Sequence, residues 1–119
     1  MRFMILVKAT RESEAGEQPP ESLFAEMAGY HEALAKAGVL LDGSRFQPSS
    51  KGWRIRYSGD ERTVVEGPFA EAKELVAGYT TIQTKTRDEA FEWARRFPNP
   101  ALDHGDAEIE VRQLLEVRR

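Results

Sequence analysis

Glu66-Gly67-Pro68-Phe69 breaks the chain at a point the rest of the fold must accommodate. Proline lacks a backbone donor and biases the residue before it away from helical angles, so neither a helix nor a central strand runs through Gly67-Pro68. A strand therefore ends near Glu66. Ala70 to Glu74 follow as good helix formers in too short a run for a lasting helix. That predicts one or two turns that pin Phe69 and deliver the chain to the next strand.

Upstream of the corner, Gly52 to Tyr57 and Arg62 to Glu66 read as a hairpin around the turn residues Ser58-Gly59-Asp60-Glu61. Its register puts Trp53, Ile55 and Tyr57 on a face with Arg62, Val64 and Glu66, and Arg54, Arg56, Thr63 and Val65 on the other. At the start of the chain, Arg2 to Lys8 is a strand apolar on both sides, with Phe3, Ile5 and Val7 opposite Met4 and Leu6. Ala9 to Pro20 is polar and predicts a loop, with Pro20 at the first helical position. From Glu21 the residues Leu23, Phe24, Met27, His31, Leu34 and Ala35 recur at helical spacing until Gly38. Val39 to Phe46 predicts a strand bulged near Gly43, and Gln47 to Ser50 a turn.

After the corner, Leu75 to Thr84 predicts a long strand whose Gly78 permits close backbone approach. Thr86 and Glu89 have capping-box spacing, and Ala90, Phe91, Trp93, Ala94 and Phe97 continue a helix stopped by Pro98. Asn99 to Asp106 predicts a loop and Glu108 to Leu114 an alternating last strand. This order predicts an α+β fold, a ferredoxin-like antiparallel sheet with two main helices on one face and an added β-hairpin. The doubly apolar first strand needs cover on its second face. A second copy supplies it, which predicts a homodimer packed sheet to sheet.

A chain of 119 residues forms a single domain, residues 1–119, with room for one core. It contains no cysteine, which excludes disulfides, thiol nucleophiles and thiolate metal sites. A formal net charge of −3 with scattered cations argues against nucleic acid or a membrane as partner. The opening strand is too short for a signal peptide, so a cytoplasmic location is expected.

Glu66-Gly67-Pro68-Phe69-Ala70-Glu71-Ala72-Lys73-Glu74 resembles the Asp-Gly-Pro-Phe motif of the DGPF-domain branch of the YCII-related family, with Glu66 where aspartate is usual. Further similar blocks are the opening Met4-Ile5-Leu6-Val7, Lys36 to Leu40, Gly78-Tyr79, Asp88-Glu89-Ala90 with Glu92-Trp93-Ala94, and Ile109 to Arg112. The resemblance implies the dimeric α/β-barrel superfamily. It also implies a His and Asp pair in a cleft, one kind of relative being a dehydrochlorinase acting on a hydroxylated aromatic. Counting back from Gly38, the family's histidine falls nearer Met27, so His31 enters as a residue type rather than by motif.

The candidate catalytic pair is His31, as acid or base, with Asp42 orienting its ring. Candidate ligand contacts are Trp53, Tyr57, Arg62, Glu66 and Tyr79, aromatic walls and charges suited to a flat polar molecule. The same hairpin residues also suit a core or dimer contact, and Arg54 and Arg56 suit an anion or solvent. Glu66 suits a helix cap or a ligand. Asp103-His104-Gly105-Asp106 matches no metal-ligand spacing, and no metal is expected. With no phosphate-cradling glycine loop or axial ligand, no cofactor is expected either, neither flavin nor haem. The function expected is small-molecule binding or lyase-type catalysis, cofactor-free oxygenation being a further option within the superfamily. The alternative is a noncatalytic interaction module, the resemblance pointing to sigma-factor regulation, with the protein partner unknown.

Overall fold

A computed structural model describes residues 1–116. Its elements, in chain order, are β1 (Arg2–Lys8), α1 (Arg11–Glu14), α2 (Glu21–Lys36), β2 (Leu40–Arg45), β3 (Trp53–Ser58), β4 (Glu61–Glu66), β5 (Val76–Gln83), α3 (Arg87–Arg95) and β6 (Ile109–Gln113). β2, β5, β1 and β6 form an antiparallel sheet in that order, the ferredoxin-like arrangement expected. β3 and β4 form a separate ribbon.

α2 and α3 cover one face of the sheet. Ile5, Leu34 and Ile82 are fully buried there, with Phe3, Tyr30, Val39 and Ala90 around them. Each such aliphatic side chain contributes about 1.5–3 kcal/mol by leaving water. Tyr30 ties the helices together, donating its hydroxyl to the Trp93 carbonyl at 2.7 Å and meeting Trp93 and Phe97 edge to face. The opposite face carries Met4, Leu6, Tyr79 and Thr81, of which only Thr81 is buried. Among the described residues no helix covers that face.

The hairpin has the expected register, Trp53 opposite Glu66, Ile55 opposite Val64 and Tyr57 opposite Arg62. It projects from the body. The radius of gyration is 16.1 Å, against about 13.5 Å for a compact chain of this length.

Ser49 anchors the hairpin's base. Its backbone N–H and hydroxyl both donate to the Glu14 carboxylate, and its hydroxyl accepts from the Phe69 N–H at 3.0 Å. Gly67 packs directly on this knot, where an added Cβ would stand 1.9 Å from the Ser49 carbonyl oxygen. The Gly67–Pro68 bond is cis, and a single 3-10 turn, Ala72–Glu74, follows the corner as expected. Phe69 is pinned by Arg54, whose guanidinium lies 3.9 Å from the ring centroid.

Four local expectations are corrected. The segment expected as a plain loop contains α1, because Thr10 and Ser13 cap each other reciprocally. Pro20 is the N-cap of α2 in an extended conformation, not its first helical residue. The irregularity of β2 falls between Leu40 and Asp42, earlier than Gly43. At α3 Thr86 caps the Glu89 N–H, but the Glu89 carboxylate accepts from Lys85 N rather than closing a box on Thr86. Gly78 does serve close approach, since a Cβ there would lie 2.8 Å from the Ser44 carbonyl oxygen.

Candidate functional site

The helical spacing that places Met27, His31 and Leu34 on one side of α2 lays His31 against β5. Its Nδ1 stands 2.8 Å from the Met27 carbonyl oxygen and its Nε2 2.8 Å from Thr80 Oγ1. A carbonyl only accepts, so Nδ1 carries the proton, and in the neutral ring the Nε2 lone pair accepts from the Thr80 hydroxyl. Thr80 is 2% exposed and His31 half-buried. Gly43 faces the pair from β2, where even a methyl group would come within 3.4 Å of Nε2.

These residues sit on the wall of a cavity of about 460 Å³. α2 supplies Leu23, Phe24 and Met27, the α3 end supplies Phe97, α1 and the following loop close one side, and Arg45 and Pro48 close another. The wall is mainly apolar with a few polar groups converging on it, the usual make-up of a small-molecule site. Arg45 extends from β2 over the Phe24 ring, 5.3 Å from its centroid.

The expected pairing of His31 with Asp42 is not formed. Both ring nitrogens are engaged by Met27 and Thr80, while Asp42 accepts a hydrogen bond from the Tyr79 hydroxyl at 2.7 Å. Thr80 and Tyr79 are consecutive on β5 and point to opposite faces, so Asp42 lies across the sheet from His31. The Tyr79 hydroxyl and the Gly43 backbone hold the Asp42 carboxyl below its ordinary range, and the same bond to Asp42 raises the Tyr79 phenol.

The hairpin candidates lie outside the cavity as well. Trp53 is 62% and Tyr57 66% exposed, Arg62 stacks on Tyr57, and Glu66 is exposed. Of the residues expected to contact ligand, only Tyr79 borders the cavity, and its hydroxyl is turned to Asp42 on the other face of the sheet. His104 lies in an exposed turn with positive φ, beside a smaller hollow bordered by Asp103 and Glu26. Among the described residues no three His, Asp or Glu side chains gather as a metal site. Thr80, Arg45 and Phe24 were not singled out in the sequence. The available signal for Thr80 was its two-residue offset from Ile82 on the helix-facing side of β5.

The profile of the YCII-related domain matches residues 1–117 of this chain. The chain belongs to the YCII-related family. A relative, an uncharacterized protein of Rhizobium meliloti (strain 1021), is 29% identical over 93 residues, 78% of this chain and 75% of its own length. Among solved structures, the chain resembles 5-chloro-2-hydroxyhydroquinone dehydrochlorinase (TftG) from Burkholderia phenoliruptrix, determined in complex with 2,5-dihydroxybenzoquinone. The TM-score is 0.54 at 14% identity, covering 98% of this chain and 96% of the other. At that identity the likeness supports a shared YCII-type fold. Among the described residues no helix is long and apolar enough to cross a membrane.

Proposed function

We propose that this YCII-related protein binds a small organic molecule in the cavity and acts on it as a lyase-type enzyme, with His31 as the proton-transfer group. The observation that carries the reading is the His31 ring, fixed at both nitrogens on the wall of an apolar cavity. Nε2 is the free base form, and its partner is a hydroxyl that donates or accepts equally well. Nε2 has one lone pair and the Thr80 hydroxyl occupies it, so the ligand's proton passes through that hydroxyl: Thr80 hands its own proton to Nε2 as its oxygen takes the ligand's, and it then accepts from the new Nε2–H. Both protonation states are thus satisfied with the heavy atoms in place, which keeps reorganisation small. The dehydrochlorinase activity named for the structural neighbour is an elimination, a reaction class that calls for such a base.

A thermal-shift screen of aromatic acids, hydroxyquinones and common metabolites tests binding, because a ligand of the folded state raises the midpoint by mass action. The expected result is a rise that a bulky Gly43→Leu substitution in the cavity wall removes, and turnover that His31→Ala abolishes while binding persists. Full turnover in His31→Ala would sink the assignment.

We also propose that the protein works as a homodimer. The helix-free sheet face and the projecting hairpin support this, Trp53, Tyr57 and Val64 each being at least 60% exposed. Such an apolar group on one ribbon face favours association over solvation. Light scattering across a concentration series, with Trp53→Ser as the comparison, tests it. A monomer at every concentration would remove the dimer, and with it the alternative of a dimeric interaction module.

A further inference from the structure

We infer that Arg45 is an anion-anchoring residue of the cavity and that the ligand is a planar organic monoanion, such as an aromatic carboxylate. This rests on the reading of the cavity as a ligand site. It goes beyond that reading in assigning a ligand class and the residue that selects it.

Charge bookkeeping along the wall singles out Arg45. Lys8 also borders the cavity, but its ammonium is committed to Glu110 at 3.5 Å. Arg45 forms no ion pair among the described residues, and its one specific contact is the face of Phe24. A guanidinium laid on an aromatic ring is held in orientation by its face and keeps its edge N–H donors for a planar acceptor such as a carboxylate. Lysine would give a point charge without that fork.

Position adds a second constraint. Arg45 pairs with Gly78, and Gly43 pairs with Thr80, so both β2 residues face the helices. They are two residues apart on one strand, about 7 Å along it. Gly43 stands directly over His31 Nε2. The anion anchor and the base therefore open on the same stretch of cavity wall, which Phe24 and Met27 also line.

The same wall limits the charge. Glu12 and Glu17 also line the cavity and are exposed at its mouth. Two carboxylates against one unpaired guanidinium disfavour a phosphate or other polyanion and leave room for one delocalised negative charge.

The test compares benzoate with benzamide, and 4-hydroxybenzoate with 4-hydroxybenzamide, by calorimetric titration of the wild type, Arg45→Met and Arg45→Lys. The probes in each pair have nearly the same shape and differ in charge. The inference expects the acid to bind about tenfold or more tightly than its amide, a margin typical of one charge-assisted contact. Arg45→Met should erase that preference while leaving amide binding within about twofold, and Arg45→Lys should restore part of it. Benzyl phosphate should bind more weakly than benzoate. Equal binding of acid and amide, or a preference that survives Arg45→Met, overturns the anion anchor while the cavity remains a ligand site. If neither acids nor amides bind, both the anchor and the cavity reading fall.

Discussion

His31 Nε2 and Thr80 Oγ1, 2.8 Å apart, join α2 to the central strand β5 through a hydrogen bond at the cavity wall. The bond fixes a tautomer as well as a position, since Nδ1 must donate to the Met27 carbonyl. Nitrogen NMR of the His31 ring is expected to report a protonated Nδ1 and an unprotonated Nε2 in the neutral form. Thr80→Val, close to isosteric, leaves Nε2 without its partner and should cost about 1–2 kcal/mol in urea unfolding. A variant as stable as wild type would mean that the bond is not formed in solution.

Ser49 holds α1 and the Gly-Pro corner in one bracket, through Glu14 on one side and the Phe69 N–H on the other. Ser49→Ala removes the hydroxyl from both and should destabilise the fold by about 1–3 kcal/mol. Because α1 borders the cavity, amide exchange of residues 10–16 should accelerate more than exchange in β1. Uniform acceleration would show that the bracket has no local role at the cavity rim.

Gly67→Ala meets a harder obstacle. The new methyl would fall 1.9 Å from the Ser49 carbonyl, backbone against backbone, so the corner must open before the side chain fits. The expected loss is about 2–4 kcal/mol, at the high end for a single substitution. Gly29→Ala is the control, because nothing lies within 4 Å of that position. It should be neutral or mildly stabilising in mid-helix. Equal stability of the two variants would contradict the packing at the corner.

Local rules made the strands, α2, α3 and the hairpin register legible, because period and turn chemistry act within a few residues. His31 was found on that basis. Its partner was not, for a geometric reason: a strand alternates its faces at every residue, and β2 shifts register between Leu40 and Asp42. A carboxylate near a histidine in the topology thus ended across the sheet, bonded to Tyr79. Trp53 and Tyr57 are conspicuous aromatics whose cross-strand pairing is readable in the sequence, but their distance from the cavity depends on how the ribbon leaves the body. Thr80 and Arg45 carry little signal as residue types and gain meaning only from what they face.

Tyr30 provides a pH-dependent check on the helix pair. Burial pushes its hydroxyl up to about 12, with the charge of Arg96 opposing, against 10.0 for an unperturbed tyrosine. Between those values the folded chain keeps a proton that the unfolded chain releases, so stability falls as pH rises through the window. The contribution is fully present below about pH 10, and its complete loss, beyond about pH 12, amounts to about 3 kcal/mol. Tyr30→Phe cannot titrate. It should be less stable than wild type at neutral pH by about 1 kcal/mol, having lost the bond to Trp93. Its deficit should shrink and reverse on the alkaline side, which guanidinium unfolding of both proteins between about pH 8 and 12 would record. A deficit that stays constant across that window would show that Tyr30 is not held in its neutral form by burial between α2 and α3.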